Sequence, residues 1–223
     1  MRGIFDDYYA SLQSALAEGP PAELADVADV VFAAFLRGAR VYTVGNGASA
    51  AVAAHIACDW GMSCATDLGR PSTQLAARRL RITPLPDSPA LVTGYANDWR
   101  FENVFVEQLK CLLDAADVVV AISGSGASPN VLRAVEYART RGATAIGFTG
   151  SAPSGAALTS ICDVAVRAPV ARIQEVEDLH VMFNHMVALT LKQRVRDHLT
   201  VGQSDSDGPG WPGDGRVAGR TAG

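Results

Sequence analysis

The chain has 223 residues, of which 19 are basic and 23 acidic, and its net charge is −4. The basic residues are dispersed along the sequence, so nothing indicates a nucleic-acid-binding surface. No apolar stretch reaches the roughly 20 residues that a membrane-spanning helix needs, and the acidic, amphipathic N-terminus is not typical of a signal peptide. We therefore expect a cytoplasmic protein that binds neither nucleic acid nor a membrane.

The predicted elements begin with two helices, over residues 4–17 and 22–37, separated by a Gly-Pro-Pro segment at 19–21. Strands and helices then alternate. The predicted strands are 39–45, 79–86, 116–123, 144–150 and 162–169, and the helices between and after them are 49–62, 88–113, 129–141, 154–160 and 173–199. Short, almost wholly apolar strands that alternate with helices predict an α/β fold, with a mostly parallel sheet covered on both faces.

The same pattern divides the chain into three parts. Residues 1–38 are predicted to be a helical arm for oligomer packing, because two helices precede the first strand. Residues 39–200 form the α/β domain. The segment 201–223 is rich in Gly, Ser, Asp and Pro, and we expect it to be disordered.

Two strand ends carry similar glycine- and serine-rich loops, TVGNGASAA at 43–51 and AISGSGASPN at 121–130. In a parallel α/β sheet, ligands bind beyond the carboxyl ends of the strands. Glycines let the backbone approach a ligand, and serine hydroxyls with free N–H groups at a helix N-terminus favour an anion. The alternative is that Ser49 and Ser128 are helix N-caps. Two such loops together favour an anion site.

A nucleotide cofactor is disfavoured by the motifs around these loops. The sequence contains no GxxxxGK[ST] motif, and GNGASAAVAAH does not match GxGxxG. No clear acidic residue ends a second strand, where a dinucleotide-binding domain would hold the ribose.

Four segments together resemble a known family. They are VGNGASAAVAAHIACD, ANDWRFENVFVEQL, AISGSGASPNVLRAVEYARTRGATAIGFTG and RIQEVEDLHVMFNHM. The chain resembles the sugar isomerase (SIS) domain proteins over its length to about residue 197, and most closely the phosphoheptose (sedoheptulose 7-phosphate) isomerases. The resemblance implies a five-stranded parallel sheet in a flavodoxin-like three-layer sandwich. It also implies a homotetramer whose active sites are shared between subunits.

The resemblance further implies roles for individual residues. The sugar phosphate would be held by loop residues and by a few positions outside the loops: Asn46, Gly47, Ser49, Asn97, Asp98, Ser123, Ser125, Ser128 and Gln174. Asp59 would be the catalytic base, with His185 or His180 as the acid. Some members bind zinc, and the matching ligands here would be His55, Asp59, Gln174 and His185.

The implied reaction is aldose–ketose isomerisation through an enediol, which needs a base to move a proton between two carbons and an acid to move one between two oxygens. It needs no redox cofactor. His55 and Asp59 are four residues apart on one predicted helix and therefore share a face.

Three departures from the family pattern leave alternatives open. Asp59 stands where the family usually has glutamate, so its carboxylate lies about 1 Å further back, a displacement that can cost about 100-fold in rate. The usual spacing from Gln174 falls on Met182, so His185 and His180 are both candidates for the acid. Arg70 is the nearest substitute for a family arginine. A non-catalytic, regulatory or scaffolding protein that binds sugar phosphates is the alternative function.

Overall fold

A computed structural model of the chain describes residues 2–66 and 78–204. Its helices are α1 Arg2–Ala17, α2 Glu23–Arg37, α3 Ala48–Ser63, α4 Pro89–Trp99, α5 Val104–Leu112, α6 Pro129–Thr140, α7 Ala156–Thr159 and α8 Ile173–Ser204. Its strands are β1 Arg40–Val44, β2 Arg81–Pro84, β3 Val118–Ile122, β4 Thr144–Thr149 and β5 Val164–Arg167. Arg70 and residues 205–223 of the predicted disordered segment 201–223 lie outside the described residues, whereas residues 201–204 of that segment belong to α8.

The five strands form one sheet in the order β2-β1-β3-β4-β5, and every pair is parallel. β3 is wholly buried and apolar, as a central strand with two covered faces should be. Its side chains alternate between two cores, so that Val118 and Val120 pack with α2, α3 and α8, while Val119 packs with α5 and α6. The predicted three-layer sandwich is confirmed.

The crossovers from β1 and from β3 run in opposite directions along the sheet. The chain leaves β1 through α3 for the outer strand β2, and it leaves β3 through α6 for β4 on the other side. In doubly wound sheets a crevice opens where two neighbouring strands diverge in this way. Here the crevice lies between the two glycine- and serine-rich loops.

Several element boundaries differ from the predicted ones. The region predicted to be helical over 88–113, with Asn97 and Asp98 at or near a cap, consists of α4 and α5, because Arg100 adopts a left-handed φ of 84° that ends α4 after Trp99. β2 is shorter than predicted, and α8 continues to Ser204 rather than ending at 199. Within the described ranges, no helix combines the length and the apolarity that crossing a membrane requires.

The two N-terminal helices differ in how they are packed. α2 buries Val27 and Val31 against the core beneath the sheet. α1 packs Leu12 and Ala15 against that core, and the Tyr8 hydroxyl donates a 2.6 Å hydrogen bond to Asp178 of α8. Most of its large apolar side chains are nevertheless exposed, with 71% of Ile4 and 71% of Phe5 accessible. α1 therefore presents an apolar surface that the described residues do not cover.

The loop after β3 depends on one glycine. Gly126 has a φ of +65°, and a Cβ there would lie 2.5 Å from the Gly155 Cα and 2.6 Å from the Thr149 hydroxyl oxygen. Both neighbours belong to the segment that begins at the end of β4. A larger residue would therefore be strained and would also push the loop away from β4.

We predict that Gly126→Ala lowers the free energy of unfolding by about 2 kcal/mol or more, because of the left-handed backbone and the two close contacts. Urea unfolding measures the change. Gly94→Ala is the matched control, since Gly94 lies exposed within α4 with nothing within 4 Å of an added Cβ. It should stabilise by roughly 0.5–1 kcal/mol. Equal effects of the two substitutions would contradict this account of the loop.

Candidate active site

A cleft of about 290 Å³ lies at the carboxyl ends of β1 and β3. We call it the serine cleft. Its lining consists of both glycine- and serine-rich loops and the first turn of α8, namely Asn46, Gly47, Ala48, Ser49, Ile122, Ser123, Gly124, Ser125, Ser128, Ile173 and Glu177. The structure thus brings together the six loop residues that were predicted to bind the sugar phosphate.

The hydroxyl groups of the second loop lie close together. Ser123 Oγ is 3.3 Å from Ser128 Oγ, and the Gly126 N–H donates to Ser123 Oγ at 3.1 Å. Ser128 precedes α6 without forming a side-chain capping hydrogen bond. In α3 the residue before the helix is Gly47, and Ser49 lies inside the first turn. Helix capping therefore does not account for either serine.

Two helices begin at the serine cleft. α3 starts at Ala48 and α6 at Pro129, so the unpaired N–H groups and the positive dipole ends of both helices lie at its edge. Pro129 occupies a first-turn position at which no hydrogen-bonding N–H is required. Hydroxyl donors together with two helix N-termini make the serine cleft suitable for a dianion such as phosphate.

A reciprocal pair of amides joins the two loops. Asn46 Nδ2 donates to Asn130 Oδ1, and Asn130 Nδ2 donates to Asn46 Oδ1, both at 2.8 Å. Asn130 is buried and also accepts the Val131 N–H. The sequence analysis missed Asn130, although a polar side chain just after Ser-Pro at a helix start was an available signal. The pair fixes the width of the serine cleft.

A second set of polar side chains connects α3 to α8. Asp59 Oδ2 lies 3.1 Å from His55 Nε2 and 3.7 Å from His185 Nε2. The two imidazole rings meet edge to face, with their centroids 5.0 Å apart. We call His55, Asp59 and His185 the histidine–aspartate cluster. Its three side chains are partly exposed to solvent, so a ligand can reach them.

Asn184, next to His185 in the sequence, also contacts this cluster. Its Nδ2 donates to Asp59 Oδ2 at 2.8 Å, and the residue is fully buried. The sequence analysis did not assign it to the site. The spacing of α8 gave no way to tell which of its residues face α3.

The histidine–aspartate cluster has the composition of a metal site. The ligand atoms of its three residues all lie within 4.8 Å of one another. Two imidazole nitrogens and a carboxylate oxygen are a donor set that zinc accepts. The residues present therefore fit a metal ion, with three ligands from this chain.

His180 lies apart from the cluster. It is 1% exposed, and its ring packs edge to face on Phe148 and also contacts Phe183. Its Nε2 lies 3.3 Å from the Thr149 carbonyl oxygen, which can only accept, so Nε2 carries a proton and Nδ1 is the acceptor. Nδ1 is buried without a hydrogen-bond partner among the described residues. Burial lowers the pKa of His180 from 6.5 to about 4.

The remaining predicted site residues lie elsewhere on this chain. Gln174 is exposed and lines a different cavity, of about 310 Å³, together with Tyr8 and Arg172. Asn97 and Asp98 are exposed near the end of α4, where the Asn97 amide donates to Asp98 at 2.9 Å. None of these three residues is part of the lining of the serine cleft.

The SIS domain family matches residues 5–150. This chain belongs to the SIS domain family. A phosphoheptose isomerase of Burkholderia pseudomallei is 34% identical over 161 residues, which are 72% of this chain and 76% of the relative.

Two further matches agree with this assignment. A phosphoheptose isomerase of Pelobacter propionicus is 33% identical over 190 residues, covering 82% of this chain and 95% of the relative. The solved structure of a phosphoheptose isomerase from Francisella tularensis superposes with a TM-score of 0.75, covering 86% of this chain and 97% of that one, at 24% identity. That structure confirms the fold, and the sequence matches place the chain among the phosphoheptose isomerases.

We predict that the buried His180 makes stability depend on pH. In the unfolded chain it takes up a proton near pH 6.5, whereas in the folded protein it does so only near pH 4. Between pH 6.5 and pH 4 the unfolded state binds more protons than the folded state, so the free energy of unfolding decreases as the pH decreases. By pH 4 the loss of unfolding free energy from this residue approaches about 3 kcal/mol. Chemical unfolding from pH 7 to 4 measures it.

His180→Gln is the control, because its amide can donate to the Thr149 carbonyl but does not titrate. All other groups are shared with the wild type. The difference in unfolding free energy between the two proteins should shift in favour of the variant as pH falls from 6.5 to 4. A difference that stays constant with pH would contradict the prediction.

Proposed function

We propose that the chain interconverts sedoheptulose 7-phosphate and the corresponding aldose, a heptose 7-phosphate, by moving protons through an enediol. The observation that carries the proposal is the histidine–aspartate cluster, whose Asp59 lies within 3.7 Å of two imidazoles. His55 lies six residues beyond Ser49 on α3, so one helix would carry both a phosphate ligand and two members of the cluster, His55 and Asp59. The names of the relatives support the substrate.

The proton transfers can be assigned to groups of this chain. Asp59 takes a proton from C1 of the ketose, which leaves an enediol across C1 and C2, and then returns the proton to C2. His185 gives a proton to O2 and receives one from O1, so the carbonyl group ends at C1. General acid–base steps of this kind contribute about 10²–10⁴-fold each. We choose His185 over His180 because His180 is buried against Phe148 and its ring bonds to Thr149.

The serine cleft holds the other end of the substrate. Ser49, Ser123, Ser125 and Ser128 would donate hydroxyl hydrogen bonds to the phosphate oxygens, and the N-termini of α3 and α6 would add N–H groups. Binding at a non-reacting group holds the reacting carbons in a fixed place, which lowers the entropy cost of the chemical step. The Asn46–Asn130 pair keeps the two loops at the separation that this grip needs.

Zinc is our proposed metal for the histidine–aspartate cluster, held by His55, Asp59 and His185. When bound there, it would stabilise the negative charge that develops on the enediolate oxygens, in place of the proton that metal-free His185 would supply. Gln174, the fourth ligand that the resemblance implies, is exposed on this chain.

We also propose a cytoplasmic homotetramer with shared active sites. The exposed apolar side chains of α1 support an interface there, because large exposed apolar patches on a monomer usually mark a contact surface. Gln174 lines a cavity beside α1, so it would lie near the subunit that the proposed α1 interface brings in. The same arrangement would bring Asn97 and Asp98 to a substrate that this chain does not enclose alone.

We predict that the purified protein converts sedoheptulose 7-phosphate to an aldose phosphate, followed by NMR. Asp59→Asn should lower kcat by about 100-fold or more, because the amide cannot accept the carbon-bound proton. KM should change much less, since the phosphate grip is intact. Asp114→Asn is the matched control. The Asp114 side chain is exposed and lies before the amino end of β3, whereas the serine cleft lies at the carboxyl end.

Absence of turnover with every ketose phosphate from C5 to C8, with and without added zinc, would refute the proposed function. Full activity of the Asp59→Asn variant would refute the role of Asp59 and leave the isomerase activity standing.

A further inference from the structure

Asn184 is a buried polar residue whose position calls for a physical explanation. It lies on α8 with 0% of its surface exposed, in the helix pair α3–α8 that packs beneath the sheet. Its Nδ2 donates to Asp59 Oδ2 at 2.8 Å. Its Oδ1 is buried and has no hydrogen-bond partner within the part of the chain that the structure describes.

An apolar residue of similar size would be more stable at this position. Burying an amide oxygen without a partner costs about 1–3 kcal/mol. Only the bond to Asp59 offsets that cost. The residue is therefore accounted for by what it does to Asp59, rather than by its contribution to the core.

The backbone around Asn184 is itself fixed against α3. Trp60, which follows Asp59 and is fully buried, directs its Nε1–H towards the Asn184 carbonyl oxygen at 3.4 Å. The two neighbouring residues of α3 thus contact the side chain and the main chain of one residue of α8. This double contact sets the rotation and the register of α8 relative to α3.

An amide donor suits a carboxylate that must accept a proton from carbon. The amide N–H holds the oxygen in place by a hydrogen bond and transfers no proton at neutral pH. An imidazole, as in His55 and His185, can donate a hydrogen bond and can also transfer a proton. It also occupies one lone-pair direction of Oδ2, which fixes the plane of the carboxylate. The two partly exposed histidines approach the same oxygen, at 3.1 Å for His55 and 3.7 Å for His185.

We propose that Asn184 is a positioning residue that orients the Asp59 carboxylate for proton transfer. The inference rests on the proposed function, because it takes Asp59 as the base. The hydrogen bond from Asn184 to Asp59 also fixes the position of His185, the next residue on α8. The His185 side chain is partly exposed and lies beside the same carboxylate.

The test is a double-mutant cycle on the full-length protein. Asn184→Leu keeps the volume but removes the donor, and should lower kcat by about 10–100-fold while KM changes by less than about threefold. In the Asp59→Asn background the same substitution should have no further effect on kcat, because Asn184 acts through Asp59. A residue that only stabilised the fold would lower the activity of both backgrounds by the same factor.

Val187→Ala is the matched control on α8, since Val187 is buried in the same core but belongs to neither the cluster nor the serine cleft. It should cost stability and leave kcat unchanged. Wild-type kcat in Asn184→Leu, or independent losses that multiply in the double variant, would overturn the inference.

A second readout does not depend on turnover. Crystal structures of the wild type and Asn184→Leu should show the Asp59 carboxylate rotated away from its position beside His55 in the variant. An unmoved carboxylate would overturn the inference. If the wild type turns over no ketose phosphate, the proposed function fails, and the position of the carboxylate still decides whether Asn184 orients it.

Discussion

The divergence of the crossovers at β1 and β3 is the constraint from which the site follows. Because the chain leaves these two neighbouring strands in opposite directions, two helices begin side by side at one edge of the sheet. The loops before those helices must then face each other, and the Asn46–Asn130 amide pair sets the distance between them. A cleft with serine hydroxyls and two helix N-termini results from this topology.

The chemistry depends on a different contact, the packing of α8 on α3. α3 extends from the serine cleft and carries His55 and Asp59 on one face. The proposed reaction needs one group to move a proton between C1 and C2 and a second group to move one between O1 and O2. In the proposed mechanism, α8 supplies His185 as the acid and Asn184 to orient the base, and both contact the Asp59 carboxylate. The shorter side chain of Asp59 would then act together with partners from the adjacent helix.

The sequence predicted those features that local residues determine. The apolar strands, the helices between them and the glycine- and serine-rich turns are local patterns, so the parallel sheet and the two loops of the serine cleft could be predicted. Which histidine faces Asp59 could not. His180 and His185 are five residues apart and thus about 140° apart around α8, so which of them faces Asp59 depends on how α8 is rotated against α3. His180 faces Phe148 and the sheet instead. Gln174, Asn97 and Asp98 are exposed on this chain, and their predicted roles would require the proposed oligomer.

The central claim is that Asp59 moves a proton between two carbons of the substrate while the serine cleft holds the phosphate. The most direct measurement is hydrogen exchange, with sedoheptulose 7-phosphate incubated with the protein in D₂O and followed by NMR. We expect deuterium to enter at one of the two C1 positions of the ketose and at C2 of the aldose. We expect Asp59→Asn to bind the sugar phosphate without catalysing exchange. Exchange at the wild-type rate in Asp59→Asn, or product formed without deuterium under conditions where the base equilibrates with solvent, would contradict the account.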